Sequence, residues 1–541
     1  MRAVSGDLDD RFDVIVVGSG ASGLTAALRA ADAGASVAVL EKSEYLGGTS
    51  ALSGGMLWLP GNGLPNGNEP ESDRDDARRY LERITFGRAN PELLEQHIAQ
   101  VPALLGFLAE HGLEFDVINA FPDYEAEMDG GRAGGRSVEP RLFDTTVLGD
   151  LARALRPDPR PPFRQCEYFE EWKSVRNMPM AQLNQRAKDG IVARGRALIA
   201  PLVAALGRLG ATLVVECPGE RLLTEAGRVS GVRAGGREFH ARAGVVLAAG
   251  GFEWNDEMVG RFLSGPIQTR CGTPDNVGDG HRMGMAAGAD LAGMNEAWWG
   301  VMADLPGLEV DGKPVGQLFT LERCLPGTLI VNRRGERFMN EGKSYYGIGK
   351  IFATWDQVTY GYRNLPCYLI GDGRFLAAHG VLGNHDVSTL PPAISSAPTL
   401  RELAGILDVN ADGLEATVAR FNSHAREGRD PDFRRGESAY EHYLGDHDAP
   451  HPNLAPLEDA PFVAIEVRAG AIGTKGGIRT DADGRALDPF GDVIPGLLAV
   501  GNNSAHPLAF GYAGAGSTLG PGMTMAYVAG HTAVGSLVQP A

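Results

Sequence analysis

Three glycines, Gly18, Gly20 and Gly23, have the type and spacing that most directly imply chemistry. They follow the short apolar run Asp13 to Val17 and open an alanine- and leucine-rich segment ending near Gly34, after which a second apolar run covers Ser36 to Leu40. In a strand–turn–helix–strand unit of this kind Gly18 permits the tight bend, Gly20 lets the backbone approach a pyrophosphate, and Gly23 lets the helix pack closely on the strand. Ala21 and Ser22 stand where the helix begins, and a helix amino terminus favours phosphate charge. Glu41 closes the second strand, followed by Lys42. A carboxylate about 20 residues beyond the glycines accepts hydrogen bonds from ribose hydroxyls, which favours an adenosine without a 2′-phosphate.

A second candidate lies near the carboxy end, where Asn502 to Gly520 holds Tyr512 among glycines and alanines and contains no arginine. Such a stretch suits an uncharged carbonyl, because a phenol can donate one hydrogen bond to it and a backbone N–H in the glycine turn another. His506 is a rival contact there, although a packed histidine is the commoner role.

These groups need positioning elements. Residues 77 to 112 carry apolar side chains at helical spacing and predict two helices supporting the cofactor lobe. From Gly190 a helix resumes, followed by β-rich pieces at Thr212 to Glu216 and Arg228 to Arg233 and an apolar strand running into Gly250 and Gly251. Proline and arginine cluster between Arg156 and Arg164, which predicts an exposed, irregular excursion. Residues 290 to 455 mix strands and helices and read as an inserted domain, and the tail returns to glycine-rich strand-loop-helix character. The expected division is 1–290 and 456–541 for the cofactor domain and 291–455 for a catalytic or substrate domain.

The chain has 541 residues and a formal charge of −18, without a long basic run, which argues against a nucleic-acid surface. With 43% hydrophobic and 22% charged residues it reads as an ordinary globular enzyme. Cys166, Cys217, Cys271, Cys324 and Cys367 form no CxxC pair, so reduced thiols and no metal site are expected. Met1 to Arg11 is acidic and lacks an apolar core, and no long apolar run occurs, so a cytoplasmic protein without a transmembrane span is expected, peripheral membrane contact remaining compatible. No second GxGxxG is visible, which weighs against a dedicated NAD(P)H domain.

The run Gly47-Gly48-Thr49-Ser50-Ala51-Leu52-Ser53-Gly54-Gly55 resembles the second phosphate and flavin contact of the fumarate reductase and succinate dehydrogenase flavoprotein superfamily. Leu247 to Glu253, with Ala249, Gly250 and Gly251, matches it as well, as do Gly278-Asp279-Gly280 and Gly501-Asn502-Asn503. The resemblance implies an α/β fold in which a Rossmann-like FAD-binding domain, glutathione reductase-like in its βαβ unit, is interrupted by an α+β catalytic domain. It also implies FAD, expected to be non-covalent because the histidine-linked pattern is missing. The implied cofactor contacts are Gly18, Gly20, Ala21, Ser22, Gly23, Glu41, Lys42, Gly48, Thr49, Ser50, Ser53, Gly54, Gly55, Ala249, Gly250, Gly251, Asp279, Gly501, Asn502, Thr518 and Leu519.

Within the superfamily the chain resembles the 3-ketosteroid delta-1-dehydrogenases. The resemblance is carried by Asn295 to Gly300, Arg337 to Glu341 followed by Tyr345, Gly473 to Gly477, Asp123-Tyr124, and Tyr512 with Gly516. It implies that Tyr512 and the Gly516 amide bind a ketone, that Tyr345 removes the neighbouring proton with Tyr124 stabilising its phenolate, and that a hydride passes to flavin N5. Tyr346 is an adjacent rival for the base, and in a strand the two tyrosines would face opposite sides. Ala513, Ala515, Glu125-Ala126 and Ser344 depart from the subgroup around the substrate, so a monocyclic cyclohexanone-type ketone competes with a steroid. A quinone or oxygen is the expected acceptor. An enone reductase and an electron-transfer flavoprotein subunit are the alternative readings.

Overall fold

Alternation of β-branched runs with alanine-rich helical runs produces a mixed α/β molecule in the computed structural model, which describes residues 1–6, 8–172 and 177–538. Its first sheet has nine strands. Thr212–Val215, Val37–Leu40, Arg11–Val17, Arg237–Leu247 and Val493–Ala499 lie side by side in parallel, and antiparallel strands flank them. The central strands read as continuous apolar runs because both their faces are covered. Val14, Val16, Val37 and Val39 pack with Leu24, Leu28, Ala197 and Leu202 on one side, whereas Ile15, Ala38, Val245 and Leu247 meet Phe239 and Met283 on the other.

The helix Ala21–Asp32 packs against the carboxy-terminal helix Leu519–Val538, which also meets Pro91–Glu110. Burying a leucine such as Leu24 or Leu28 contributes about 2 kcal/mol. The two helices expected across 77–112 are Pro70–Thr85 and Pro91–Glu110, separated by Phe86 in a left-handed conformation.

The second sheet has seven strands. Phe462–Thr474 is its axis, pairing antiparallel with Ala297–Val310 on one side and Cys367–Gly371 on the other. Its hydrogen bonds therefore draw residues 462–474 into the sheet of the middle segment, and Thr269–Arg270 joins the same strand. The divisions expected at 290 and 455 do not coincide with the limits of this sheet. Trp298, Trp299, Ile330, Leu369 and Val467 form its core, and Tyr124, Tyr345, Tyr346 and Tyr512 belong to that core.

Among the described residues no helix is long and apolar enough to cross a membrane, and no group of His, Cys, Asp or Glu is placed to hold a metal ion. All five cysteines are free.

Candidate active site

The glycine turn forms the head of a cleft along the carboxy ends of the parallel strands. Gly18 has φ of 107°, and a Cβ there would lie 2.3 Å from Ala248 O. A Cβ on Gly23 would lie 2.1 Å from Gly18 O, so the helix sits directly on the turn. Gly20 differs: its nearest neighbour for a Cβ is Ser50 Oγ at 3.4 Å, and its bare face opens to the cleft. Among the described residues the amides of Ser22 and Gly23 have no acceptor, which leaves them for an anion at the helix start. Glu41 is oriented by Ser19, whose amide and hydroxyl donate to Oε2 at 3.0 and 2.6 Å, and by Ser43 N, which donates to Oε1 at 2.9 Å. Lys42 Nζ lies 3.0 Å from Asp279.

Of the expected cofactor residues, all but Ser53, Gly54, Gly55 and Gly251 line this cleft. Those four have close neighbours in the chain. Gly54 faces Gln165, Gly55 has its α-carbon against Arg194, Gly251 against Thr474, and Ser53 caps Ser50 O with its hydroxyl. A bare glycine cradle, free helix amides, a ribose-side carboxylate and two cations, Lys42 and Arg156, fit a dinucleotide.

Arg156 corrects the expectation of an exposed excursion. The segment is irregular, but Arg156 is only 2% exposed and lines the cleft. It donates to Ser43 Oγ at 2.7 Å and to both Asp311 oxygens at 2.9 and 2.7 Å. Those partners are 113 and 155 residues away, so no local pattern marks its role. Asn276 was missed for the same reason. It reaches Thr49 at 3.0 Å and Glu253 at 2.7 Å, tying the second glycine run to the fourth side of the cleft.

At one end of the cleft three tyrosines converge. The Tyr124 hydroxyl donates to Tyr345 Oη at 2.9 Å, and Tyr345 donates to Tyr512 Oη at 2.9 Å. The rings of Tyr124 and Tyr512 stack with centroids 5.1 Å apart. Tyr512 Oη lies 3.4 Å from Thr518 Oγ1, and Thr518 lines the cleft. Tyr124 is held by its own amide, which donates to Ala513 O at 2.9 Å, beside Tyr80 Oη bonded to the same carbonyl. Asp123 next to it accepts from Trp58 Nε1 and from buried Arg136, which also pairs with Asp73.

Tyr345 and Tyr346 begin a helix, Tyr345–Ile351, rather than a strand. Successive helical residues diverge by about 100°, and the two hydroxyls part company accordingly. Tyr346 donates to Phe510 O and lies 3.3 Å from Glu296 Oε2, which Lys350 Nζ meets at 2.8 Å. Only Tyr345 reaches Tyr124. Gly516 has φ of 95° and its α-carbon against Leu57, while its amide has no acceptor among the described residues.

Burial pushes Tyr345 well above an ordinary phenol, and its phenol neighbours add to the shift. Tyr124 and Tyr512 are raised by burial too. Burial also drives Lys475, whose Nζ donates to Gly511 O, and His506, packed edge-on against Trp298, well below their usual values. His506 Nδ1 accepts from Leu508 N at 3.2 Å.

The model of the FAD binding domain family matches residues 13–519. A 4-oxocyclohexanecarboxylate 2-dehydrogenase of Sinomonas cyclohexanicum is 44% identical over 99% of this chain and 95% of its own length. A 3-oxosteroid 1-dehydrogenase of Mycobacterium tuberculosis is 37% identical over 96% and 97% of the two chains. The crystal structure of a 3-ketosteroid delta1-dehydrogenase from Sterolibacterium denitrificans, in complex with 1,4-androstadiene-3,17-dione, superposes with a TM-score of 0.89. Its identity is 34%, and the match covers 97% of this chain and all 100% of that one. The chain belongs to the FAD-binding-domain family, among the FAD-dependent oxidoreductases acting on CH–CH groups that include the 3-oxosteroid 1-dehydrogenases.

Proposed function

We propose that this protein desaturates the carbon–carbon bond next to the ketone of a cyclic substrate, using non-covalently bound FAD and passing the electrons to a quinone or oxygen. The observation that carries the reading is the chain of hydroxyls from Tyr124 through Tyr345 to Tyr512, touching the cleft through Thr518, in a tail turn where the Gly516 amide has no acceptor among the described residues. The nine-stranded sheet is read as a Rossmann-like FAD domain, interrupted by a catalytic domain built on the second sheet.

In this reading Tyr512 and Gly516 donate to the ketone oxygen and stabilise the enolate charge that develops when the neighbouring carbon loses its proton. Tyr345 Oη takes that proton. As a phenolate it can accept from both Tyr124 and Tyr512, each 2.9 Å away, and charge-assisted bonds of this kind are about twice as strong as neutral ones. FAD held in the cleft supplies the acceptor for the hydride leaving the second carbon, which completes a two-electron oxidation. The apolar walls, Trp298, Phe121 and Tyr440 among them, exclude water from the developing anion.

For ring number, the 44% identity to a relative named for a monocyclic keto acid, and the changes at Glu125-Ala126, Ala513 and Ala515, favour a cyclohexanone derivative. Mixing the yellow holoenzyme anaerobically with 4-oxocyclohexanecarboxylate, or separately with a 3-oxosteroid, tests both parts. Bleaching by the monocyclic ketone is expected, and bleaching by the steroid alone replaces the substrate but keeps the reaction. A flavin that no saturated ketone bleaches, but that once reduced is reoxidised by an enone, overturns desaturation in favour of a reductase.

A further inference from the structure

Burial makes the Tyr345 phenolate expensive, and its hydroxyl neighbours are neutral. A base in this position needs a nearby positive charge, and one element of the second core supplies it. Arg323 is 0% exposed and pairs with no carboxylate among the described residues. Its guanidinium is bound by carbonyls instead. Nε donates to Phe319 O at 2.9 Å, and Nη1 donates to Glu341 O and Lys343 O. The Tyr440 hydroxyl is the hydrogen-bonding neighbour of the Arg323 guanidinium, and neither it nor Nη2 has another partner among the described residues. The Tyr440 ring packs edge-on against Tyr124 with centroids 5.0 Å apart.

A buried cation without a counter-ion costs several kcal/mol, so retaining one points to a negative partner formed during the reaction. We propose that Arg323 is a positioning residue for the base: it clamps the 341–343 turn that launches the Tyr345 helix, and its unneutralised charge, relayed past Tyr440 and Tyr124, stabilises the Tyr345 phenolate. The proposal rests on the desaturation reading. The Arg323 field lowers the proton affinity of both Tyr124 and Tyr440 against the larger, opposing effect of burial.

No other charge near the base does this work. Glu341 is taken by Arg337 at 2.7 Å and faces Arg435. Lys343 pairs with Glu125 at 3.5 Å, and Lys350 with Glu296 on the Tyr346 side. Lys475 lies over the Trp298 and Tyr346 rings and His506 packs against Trp298, and burial lowers the pKa of both. Glu322, next to Arg323 in the chain, has its carboxyl pushed up by burial against the weaker opposing pull of its backbone donors and of Arg323, and burial raises the Cys324 thiol as well. Tyr124 and Tyr512 act on Tyr345 directly, Tyr440 packs on Tyr124, and the buried Glu441 carboxylate, bonded by Ser438, acts with Arg323 on Cys324.

The test compares wild-type holoenzyme with Arg323→Lys, Arg323→Gln and Arg323→Met, each checked for full flavin content. Activity as kcat/KM should rise with pH as the base deprotonates. Loss of the charge should move that rise upward by about 1 pH unit or more, as expected for an opposite charge removed from a titrating group, while Arg323→Lys leaves it in place. Glutamine keeps hydrogen-bond donors for the carbonyls, so it separates charge from clamping if methionine fails to fold. A pH-independent loss in all variants, with the rise unmoved, overturns the proposal and leaves a structural clamp only. A KM increase confined to a keto acid, absent with a neutral cyclic ketone, also overturns it and makes Arg323 a substrate carboxylate site. Tyrosinate absorbance on alkaline titration of the holoenzyme, read against Tyr345→Phe, reports the same shift without turnover. If no ketone bleaches the wild-type flavin, that titration still decides the role of Arg323 while the proposed reaction fails.

Discussion

The cofactor cleft and the tyrosine cluster meet at Thr518, yet they are built in opposite ways. The head of the cleft is made by backbone: glycines whose missing side chains let strands, turn and helix approach within contact, over a stretch of some thirty residues. The cluster is made by side chains brought together across 221 and 167 residues, held in line by the packing of the second sheet's core and by a few hydrogen bonds to its surroundings. Damage to the first should therefore remove the cofactor, and damage to the second should leave a yellow protein that does not react.

The sharpest way to break that contrast is Gly23→Val. A side chain at this position enters the space of Gly18 O, 2.1 Å from the Cβ, so loss of bound flavin and of soluble protein is expected, read as the flavin-to-protein absorbance ratio. If flavin is retained, the turn is not the cofactor cradle. Tyr345→Phe should keep full flavin content and lower the rate of ketone-dependent bleaching by about 10²- to 10⁴-fold, the usual contribution of a general base. Stopped-flow flavin absorbance checks it, and a bleaching rate within a few-fold of wild type would transfer the role elsewhere. Tyr512→Phe should cost about 10²- to 10³-fold, the loss of one oxyanion donor. Tyr124→Phe removes a hydrogen bond to the phenolate rather than a reacting group, and about 10-fold is expected. The order among the three tests the assignment more strictly than any single value.

The same contrast explains what was legible in the sequence. The βαβ unit was readable because its constraints are local: Gly18, Gly20, Gly23 and Glu41 stand in a fixed relation along the chain, and the structure gives each a place on the cleft. The tyrosines came from resemblance, because no periodicity links positions 124, 345 and 512. Whether Tyr345 or Tyr346 faced the cluster could not be read. The segment forms a helix, where a strand had been weighed, and the hydroxyl of Tyr346 is captured by Phe510 O. Arg156 looked exposed because proline and arginine usually are, and its burial depends on Asp311 at the turn of a distant hairpin. That the chain from 462 to 474 would pair in the second sheet could not be read from the range 456–541, since pairing across a sheet is set by partners far away in sequence.

The smallest expected effect lies on the seam between the two regions. Glu253 is fully buried, accepts from Asn276 Nδ2 at 2.7 Å and lies 3.3 Å from Thr474 N, and so links the cleft wall to the axial strand of the second sheet. Burial raises its pKa from 4.5 to about 7 against the weaker opposing pull of these donors. In the unfolded chain the carboxyl ionises near 4.5, while the folded protein keeps its proton until about 7. Folding takes up a proton between these values, so stability falls as pH rises across that window. The fall amounts to roughly 3 kcal/mol at about 1.4 kcal/mol per pH unit. Thermal unfolding of the holoenzyme from pH 5 to 8 should show this decline, and Glu253→Gln, which stays neutral, should flatten it while leaving the rate of flavin bleaching within a few-fold. A decline of the same slope in the variant would mean that the carboxyl is ionised in the folded protein. The seam would then be held by charge, and the two regions would be coupled more tightly than their separate construction implies.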